Sequence, residues 1–425
     1  MTSAISLPLH QQTYSLQHDR FTQLLATTQS LLIIQDLDGV CMGLVKDPLN
    51  RAIKTAYVQA TQAFDPHFYV LTNGEHVGKR GVNGIIERAF GSSDKVRELG
   101  SYLPGLAAGG VQWQGRDGQV SHPGVSEAEL EFLKTVPERI RKTLRSFAEE
   151  HTLSLDDTTL EHCIQASALD NVASPTANLN TFHAALKGDH DTYLALQQSM
   201  QALMDTLLAE AAAQGLGDSF FVHYAPNLGR DGAGKEVVWL SQGTESGTTD
   251  FQFMLRGGIK EAGVLALLNR YYAQRTGTYP LGADFSVRQA PQTHQALLDL
   301  VKTHFDPAIM PLMVGVGDTV TSRVETVDGQ AVAKRGGSDR NFLHLVQDIG
   351  RTFDVGNVVV YVDSSGGELK NRKALCLAIV EGVEQVVEGP GDPLDTEDPL
   401  TLNVVFPGGF QQYSAVFQAA ARQRR

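Results

Sequence analysis

Short apolar runs alternate with helical patterns at both ends of this chain, and no other feature limits its fold as much. The first part contains the apolar runs LLIIQD and HFYVLTNGE, separated by RAIKTAYVQATQAF with its helical spacing of apolar residues. The last part repeats this arrangement with the runs MPLMVGVGDTV and NVVVYVDSS. Short, continuous apolar runs are typical of parallel strands that are buried on both faces. The alternation therefore predicts a doubly wound α/β sheet.

The middle of the chain has a different pattern. Residues 121–250 contain two long amphipathic helical patterns, SEAELEFLKTVPERIRKTLRSFAEE and DTYLALQQSMQALMDTLLAEAAAQ, together with short strand patterns. This block interrupts the α/β alternation, so we predict a core domain that is split by an inserted α+β domain. The predicted core comprises residues 1–120 and 251–425, and the predicted insertion comprises residues 121–250.

Polar side chains follow three of the predicted strands. Asp36 and Asp38 come after the first strand, Thr72 after the second, and Asp318 after a strand in the last part. Ligands of open α/β sheets bind beyond the carboxyl ends of the strands, so these groups could converge on one site. Carboxylate oxygens suit Mg²⁺, and a hydroxyl followed by turn amides suits a phosphate. Lys260, near the start of a helical pattern, could neutralise remaining phosphate charge.

Four segments together resemble the motifs of haloacid-dehalogenase-superfamily phosphatases. DLDGV is similar to the first motif, FYVLTNG to the second, GGIKEAGVLALL to the third and MVGVGDTV to the fourth. This resemblance implies a Rossmann-like core with an inserted domain, called the cap, as in the branch of sucrose- and trehalose-phosphate phosphatases.

A closer resemblance extends from about Leu7 to Arg424. The segments YVLTNGEHVGKRGV, LDNVASPTANLNT and FFVHYAPNLGRD resemble stretches of the glucosylglycerol-3-phosphate phosphatases of salt-tolerant cyanobacteria. The family resemblance implies hydrolysis of glucosylglycerol 3-phosphate to phosphate and glucosylglycerol, an osmoprotectant made under salt stress. The upstream glucosylglycerol-phosphate synthase is then a candidate partner.

The resemblance also implies roles for five residues. Asp36 attacks phosphorus and forms an aspartyl-phosphate. Asp38 protonates the leaving oxygen and then activates water. Thr72 and Asn73 hold phosphoryl oxygens, and Lys260 offsets the charge of the transferred group. If the extended backbone persists through Asp38, the two-residue period of a strand aims both acids at one site.

By the same resemblance, Mg²⁺ is bound by the Asp36 carboxylate, the Asp38 carbonyl oxygen and Asp318. The fourth motif of the family usually has a second acid within about five residues, and this chain has none at that spacing. The sequence leaves three candidates for this position: Ser322, Glu325 and Asp339.

The lysine of the third motif has an alternative too. Lys260 and Asp318 are 318 − 260 = 58 residues apart, a longer gap than the sugar-phosphatase branch leads us to expect. Lys302 is therefore the second candidate.

One segment of the middle block is a candidate for sugar recognition. FFVHYAPNLGR supplies His223, Tyr224, Asn227 and Arg230, which offer the polar groups and aromatic surface that sugar sites use. The alternative is that these four residues only shape a strand and a loop. The adjacent GRDGAGKE resembles a P-loop, but a strand pattern follows it instead of a helix, so we interpret it as a hairpin turn.

Composition excludes several other classes of function. The formal net charge is −13 and the pI is about 5.4, which disfavours nucleic acid and anionic membrane as partners. The three cysteines are widely spaced and predict neither disulfides nor a zinc site. No signal peptide or membrane span is evident, and the cytoplasm is the expected location.

The rival functions are a sucrose- or trehalose-phosphate phosphatase and a catalytically silent regulator of a sugar-phosphate synthase.

Overall fold

The structure is a computed structural model that describes residues 7–46, 48–78, 80–230, 235–243, 246–327, 329–369 and 372–424. In chain order the strands are β1 (Leu31–Gln35), β2 (Phe68–Leu71), β3 (Gly105–Ala107), β4 (Gln112–Gln114), β5 (Val120–Ser121), β6 (Ala168–Leu169), β7 (Thr176–Asn178), β8 (Phe220–Ala225), β9 (Asn227–Arg230), β10 (Glu236–Val238), β11 (Asp250–Leu255), β12 (Leu312–Gly317), β13 (Thr321–Val327), β14 (Gln330–Gly336), β15 (Val358–Val362), β16 (Cys376–Val380), β17 (Val383–Glu388) and β18 (Val404–Phe406). The α-helices are α1 (His18–Thr27), α2 (Thr55–Thr61), α3 (Val82–Phe90), α4 (Ser93–Glu98), α5 (Glu127–Glu150), α6 (Asp157–Ser167), α7 (Asn180–Ala185), α8 (His190–Ala213), α9 (Lys260–Thr276), α10 (His294–His304), α11 (Arg340–Thr352) and α12 (Gly409–Gln423).

These elements form two compact units. The first comprises residues 1–74, 85–124 and 259–425, and the second comprises residues 75–84 and 125–258. The second unit thus takes a short segment from the first part of the chain in addition to the middle block. Its predicted role as a substrate-recognising cap stays a prediction.

The first unit is organised around a mostly parallel sheet. Its strand order is β18-β15-β12-β1-β2-β3-β4-β5. The pairs from β18 to β3 are parallel, and β4 and β5 add antiparallel strands at one edge. The LLIIQ segment forms β1 in the middle, and all five of its residues are buried. Burial on both faces explains why this strand has no alternating polar positions.

Helices cover both faces of this sheet. Successive side chains of a strand point to opposite faces. In β2, the ring of Phe68 contacts Phe417 of α12, with 5.8 Å between the ring centroids. The next residue, Tyr69, accepts a hydrogen bond at its hydroxyl from Gln274 of α9. Helices α12 and α9 therefore lie on opposite faces, and the predicted doubly wound α/β class is confirmed.

The second unit is an α+β structure. Its antiparallel sheet has the order β6-β7-β11-β8. Helix α5 begins with a capping box, in which Ser126 and Glu129 satisfy each other's backbone N–H groups. Strands β9 and β10 pair antiparallel, as expected for a hairpin and not for a P-loop. Residues 231–234 between them lie outside the described residues.

Two further hairpins belong to the first unit, β13–β14 and β16–β17. Among the described residues, no helix has both the length and the apolar character that a membrane crossing requires.

Candidate active site

Three neighbouring strands bring the predicted groups together. Strand β1 lies between β12 and β2, with Gln35 in register with Val316 on one side and with Val70 on the other. The residues that follow these strands are Asp36, Thr72 and Asp318, and all three are buried. The N–H group of Asp36 donates to the Val316 carbonyl at 2.9 Å. The carboxyl edge of the sheet therefore carries the acids and the hydroxyl that the sequence placed there.

Lys260 lies inside this group of side chains. It is the first residue of α9, and its Nζ is 2.8 Å from Asp36 Oδ2 and 2.7 Å from Asp339 Oδ1. Burial opposes its charge, but the two carboxylates outweigh burial and raise the pKa of Lys260. For Asp36, burial is the largest effect and raises the pKa to about 7, although the Lys260 charge lowers it. A cation fixed between two acids is thus built into the site.

Asp339 belongs to the site although it lies 21 positions after Asp318 in the sequence. Its Oδ2 accepts the backbone N–H groups of Asp318 and Thr319, at 2.9 and 3.0 Å. Burial alone would raise the pKa of Asp339, but the Lys260 charge and these donors hold it below its ordinary value. Asp339 is therefore the carboxylate of this group that stays ionised to the lowest pH.

The three carboxylates of Asp36, Asp318 and Asp339 could hold a metal ion. One oxygen of each lies within 4.8 Å of the others. Asp318 Oδ2 is buried and accepts no hydrogen bond of ordinary geometry among the described residues. Burial and the two other acids raise the pKa of Asp318 well above its ordinary value, although the Ser364 hydroxyl and Arg372, whose Nε is 4.0 Å away, act to lower it. An orphaned oxygen among buried carboxylates fits a hard divalent cation, which would satisfy it.

The turn after β1 leaves little room beside this oxygen. Gly39 has φ of +77°, and a Cβ added there would lie 2.2 Å from Asp318 Oδ2. Asp38 pairs with Met42 in an isolated bridge at this turn. Strand β1 itself ends at Gln35, so the condition that the strand continues through Asp38 is not met. Asp38 reaches the site edge from a turn, and its side chain is 31% exposed.

The other candidates for the second acid and for the lysine lie in different surroundings. The Ser322 hydroxyl accepts the N–H of Asp392. Glu325 pairs with Lys334 at 2.6 Å on the β13–β14 hairpin. The side chain of Lys302 is 44% exposed and lies 3.7 Å from Asp299 of its own helix. Among the described candidates, only Asp339 and Lys260 contact Asp36 or the backbone of Asp318.

Arg51 is a site residue that sequence reasoning missed. Its Nη1 donates to Asp38 Oδ2 at 2.9 Å, and a Cβ added at Gly74 would lie 3.8 Å from the same nitrogen. Thr72 Oγ1 accepts the N–H of Gly74 at 3.2 Å, which fixes the turn that contains Asn73. Arg51 is the first residue of the helical pattern RAIKTAYVQATQAF and matches none of the four motifs, so no local signal marked it.

The predicted sugar-binding residues of the second unit have mixed surroundings. His223 Nδ1 and Asn227 Nδ2 lie 2.9 and 3.0 Å from Glu236 Oε2, so these two polar groups do cluster. Tyr224 is completely buried, and its ring packs against Phe251. This burial argues against Tyr224 as a substrate contact and assigns it to sheet packing. The side chain of Arg230 lies outside the described residues.

Sequence comparison gives the family. Residues 30–421 match the family model described as glucosylglycerol-phosphate phosphatase. The chain is also 62% identical over 417 residues to the glucosylglycerol-phosphate phosphatase of Synechocystis sp., covering 98% of both chains. The chain belongs to the glucosylglycerol-phosphate phosphatase family. The resemblance on which the sequence interpretation depended is thereby confirmed.

Solved structures match this chain at much lower sequence identity. The C-terminal domain of a trehalose-6-phosphate phosphatase from C. albicans matches with a TM-score of 0.46 and 10% identity, covering 96% of this chain and 98% of that one. The C-terminal domain of a Candida albicans trehalose synthase regulatory protein matches with a TM-score of 0.40 and 11% identity, covering 84% and 93%. The fold assignment depends on the sheet topology, not on these likenesses.

Proposed function

We propose that this glucosylglycerol-phosphate phosphatase family member hydrolyses glucosylglycerol 3-phosphate to glucosylglycerol and phosphate, with Mg²⁺ as its cofactor. The observation that carries the proposal is the buried Asp36–Lys260–Asp339 group beside Asp318 at the carboxyl edge of the parallel sheet. Such a group combines a nucleophile, a fixed cation and oxygen ligands for a metal, which are the parts that phosphoryl transfer requires.

In the proposed mechanism Asp36 is the nucleophile. Its carboxylate oxygen forms a bond to phosphorus while the bond from phosphorus to the glycerol oxygen breaks. Asp38 gives its proton to that leaving oxygen. In the second half, Asp38 takes a proton from a water molecule, the water oxygen attacks phosphorus, and the bond to Asp36 breaks. Phosphate leaves, and both acids return to their starting states.

Other residues position and neutralise the transferred group. Lys260 lies 2.8 Å from Asp36 Oδ2, so its charge acts next to the forming bond. The Thr72 hydroxyl and the N–H groups of the turn at Asn73 would donate hydrogen bonds to phosphoryl oxygens at the end of the neighbouring strand. Arg51, at 2.9 Å from Asp38, would orient the acid that serves the leaving group.

The metal ligands in this proposal are Asp36, Asp318 and the Asp38 carbonyl oxygen, with Asp339 as the supporting acid. When bound, Mg²⁺ would keep Asp36 ionised near pH 7 and reduce the negative charge that the nucleophile meets. The orphaned Asp318 Oδ2 is the observation that fits this assignment.

The substrate assignment is tested by phosphate release from a panel that contains glucosylglycerol 3-phosphate, sucrose phosphate and trehalose phosphate. Each reaction is measured with and without Mg²⁺ for the wild type, Asp36→Asn and the control Asp94→Asn. The Asp94 side chain is 92% exposed, so its variant should match the wild type. We expect release to depend on Mg²⁺, to favour glucosylglycerol 3-phosphate and to disappear in Asp36→Asn.

Two results would contradict the proposal. Faster release from sucrose or trehalose phosphate would transfer the assignment to the other sugar-phosphate class. Equal release by Asp36→Asn and Asp94→Asn would remove the aspartyl-phosphate mechanism. A silent regulator of a synthase is disfavoured because it has no need for the second acid, Asp38. The synthase as a partner and the cytoplasm as the location stay predictions.

A further inference from the structure

A second cluster of potential metal ligands lies outside the candidate active site. It consists of His294, the first residue of α10, and of His344 and Asp348, one helical turn apart on α11. His294 Nε2 lies 2.9 Å and His344 Nε2 lies 3.2 Å from the same oxygen, Asp348 Oδ2. One donor atom from each residue lies within 4.8 Å of the others. Two imidazole nitrogens and a carboxylate oxygen thus converge from two helices.

The distances from the carboxylate oxygen to the two imidazole nitrogens are close to those of a tetrahedral metal site. Bonds of about 2.0–2.2 Å from zinc to nitrogen and oxygen place neighbouring ligand atoms about 3.3–3.5 Å apart. The observed separations of 2.9 and 3.2 Å need to widen by only a few tenths of an ångström. The two rings stack at 4.5 Å between centroids with an angle of 24°, so at least one ring must rotate from this near-parallel arrangement for both nitrogens to point at one ion.

We propose that His294, His344 and Asp348 form a binding site for a borderline-soft divalent cation, of which Zn²⁺ is the best match. Three protein ligands leave a fourth position for water, as in open zinc sites. The donor set differs from that of the candidate active site, where the potential ligands are all oxygens and suit Mg²⁺. This site goes beyond the proposed phosphatase function and does not depend on it.

The surroundings allow a cation to enter and keep the ligands oriented. The three side chains are 33%, 24% and 20% exposed for His294, His344 and Asp348 respectively. Arg351 and Gln347 donate to the other carboxylate oxygen, Asp348 Oδ1, at 3.3 and 3.4 Å. These donors orient the carboxylate through Oδ1, while Oδ2 contacts the two imidazoles.

Cation binding would change the hydrogen bonds in a defined way. Without a cation, an imidazole N–H donates to Asp348 Oδ2. With the cation bound, each neutral ring coordinates through Nε2 and carries its proton on Nδ1 instead. The ligands link the start of α10 to α11, the helix whose N-cap residue is Asp339. Zinc binding should therefore stabilise the first unit near the helix that carries the supporting acid.

The test uses the full chain freed of metals and then saturated with Mg²⁺, to which Zn²⁺ or Co²⁺ is added. Calorimetric titration gives the zinc affinity, and Co²⁺ absorption in the visible range reports four-coordinate ligation. The variants are His344→Gln and Asp348→Asn, with His304→Gln as the matched control. His304 lies on α10 and is exposed. Asp318→Asn removes a potential metal ligand of the candidate active site. Zinc that still binds tightly to this variant is therefore assigned to the histidine cluster.

We expect one zinc ion for each wild-type chain at this cluster and the intense absorption of four-coordinate Co²⁺. His304→Gln and Asp318→Asn should retain both, whereas His344→Gln and Asp348→Asn should lose about 100-fold or more in affinity, because even outer-shell changes cost about 10–100-fold. Wild-type affinity in both ligand variants would overturn the proposal. If the ligand variants do not fold, the spectrum of the Asp318→Asn protein decides: absence of the four-coordinate Co²⁺ signal overturns the proposal, and its presence supports it.

Discussion

Replacing Lys260 with Met tests how the buried charges of the active site are balanced. Methionine has a similar length but has neither a charge nor an N–H group. The Lys260 side chain is only 3% exposed, and its Nζ lies 2.8 Å from Asp36 and 2.7 Å from Asp339. Lys260 is the one cation in a group with three acids, Asp36, Asp318 and Asp339. The substitution leaves the three acids alone. It therefore removes the shared partner of two buried carboxylates.

The expected loss follows from opposing terms. At an effective dielectric constant of about 20, each of the two ion pairs contributes about 6 kcal/mol of Coulomb attraction. Burying the lysine ammonium offsets much of that attraction, and removal of one partner from a buried pair typically costs about 3–5 kcal/mol. In the absence of divalent cations, we expect Lys260→Met to lower the free energy of unfolding by about 3–5 kcal/mol. Proton uptake by Asp36 or Asp318, whose pKa values burial already raises, limits the loss.

The assay is denaturant unfolding of Lys260→Met and of the control Lys302→Met, each with EDTA and with excess Mg²⁺. Lys302 is 44% exposed and makes a loose pair at 3.7 Å, so its variant should stay within about 0.5 kcal/mol of the wild type. Because Mg²⁺ supplies positive charge to the same acids, it should stabilise Lys260→Met more than the wild type. Phosphate release by Lys260→Met should fall by about 10²–10³-fold. Equal unfolding midpoints of the two variants in EDTA would refute this reasoning.

Three further changes address other parts of the protein. Asp318→Asn should raise the Mg²⁺ concentration for half-maximal phosphate release by about 10-fold or more, and an unchanged Mg²⁺ dependence would exclude Asp318 as a ligand. Arg51→Met should lower kcat/KM by about 10²-fold through misplacement of Asp38, with the Mg²⁺ dependence unaltered, and a wild-type kcat/KM would exclude this role. In the second unit, Glu75 accepts N–H groups of residues 172–174 at 2.7–2.8 Å, so Glu75→Gln should cost about 1–3 kcal/mol of unfolding free energy. Equal unfolding of wild type and Glu75→Gln would show that these hydrogen bonds contribute little.

The strand ends of the active site could be predicted because their signals are local. An apolar run that ends in a polar group locates Asp36, Thr72 and Asp318 without any knowledge of long-range contacts, and the parallel order of the sheet then brings them together. Lys260 was marked in the same way by the start of a helical pattern. The long gap before Asp318 is filled by α9 and α10, elements of the same α/β alternation.

Residues that reach the site by tertiary contacts gave no such signal. Arg51 approaches Asp38 from the segment before α2, and its position depends on how that segment crosses the sheet edge. Tyr224 was a candidate ligand contact because aromatic residues serve both sugar recognition and core packing. Only its complete burial distinguishes the two. A single sequence carries the pattern of regular elements but not the tertiary contacts of an irregular segment such as the one that contains Arg51.

The position of Asp339 shows why motif spacing did not predict its contact with Asp318. The hairpin β13–β14 lies between Asp318 and Asp339, and its first pair joins Thr321 to Gly336. A closed hairpin returns the chain to its starting point, so Asp339 N donates to the Thr319 carbonyl at 3.1 Å. The sequence separation of 21 positions between the two acids thus adds almost no distance at the site. A rule based on sequence separation fails wherever a self-contained hairpin is inserted, and the strand pairing at the base of the hairpin is the information that replaces it.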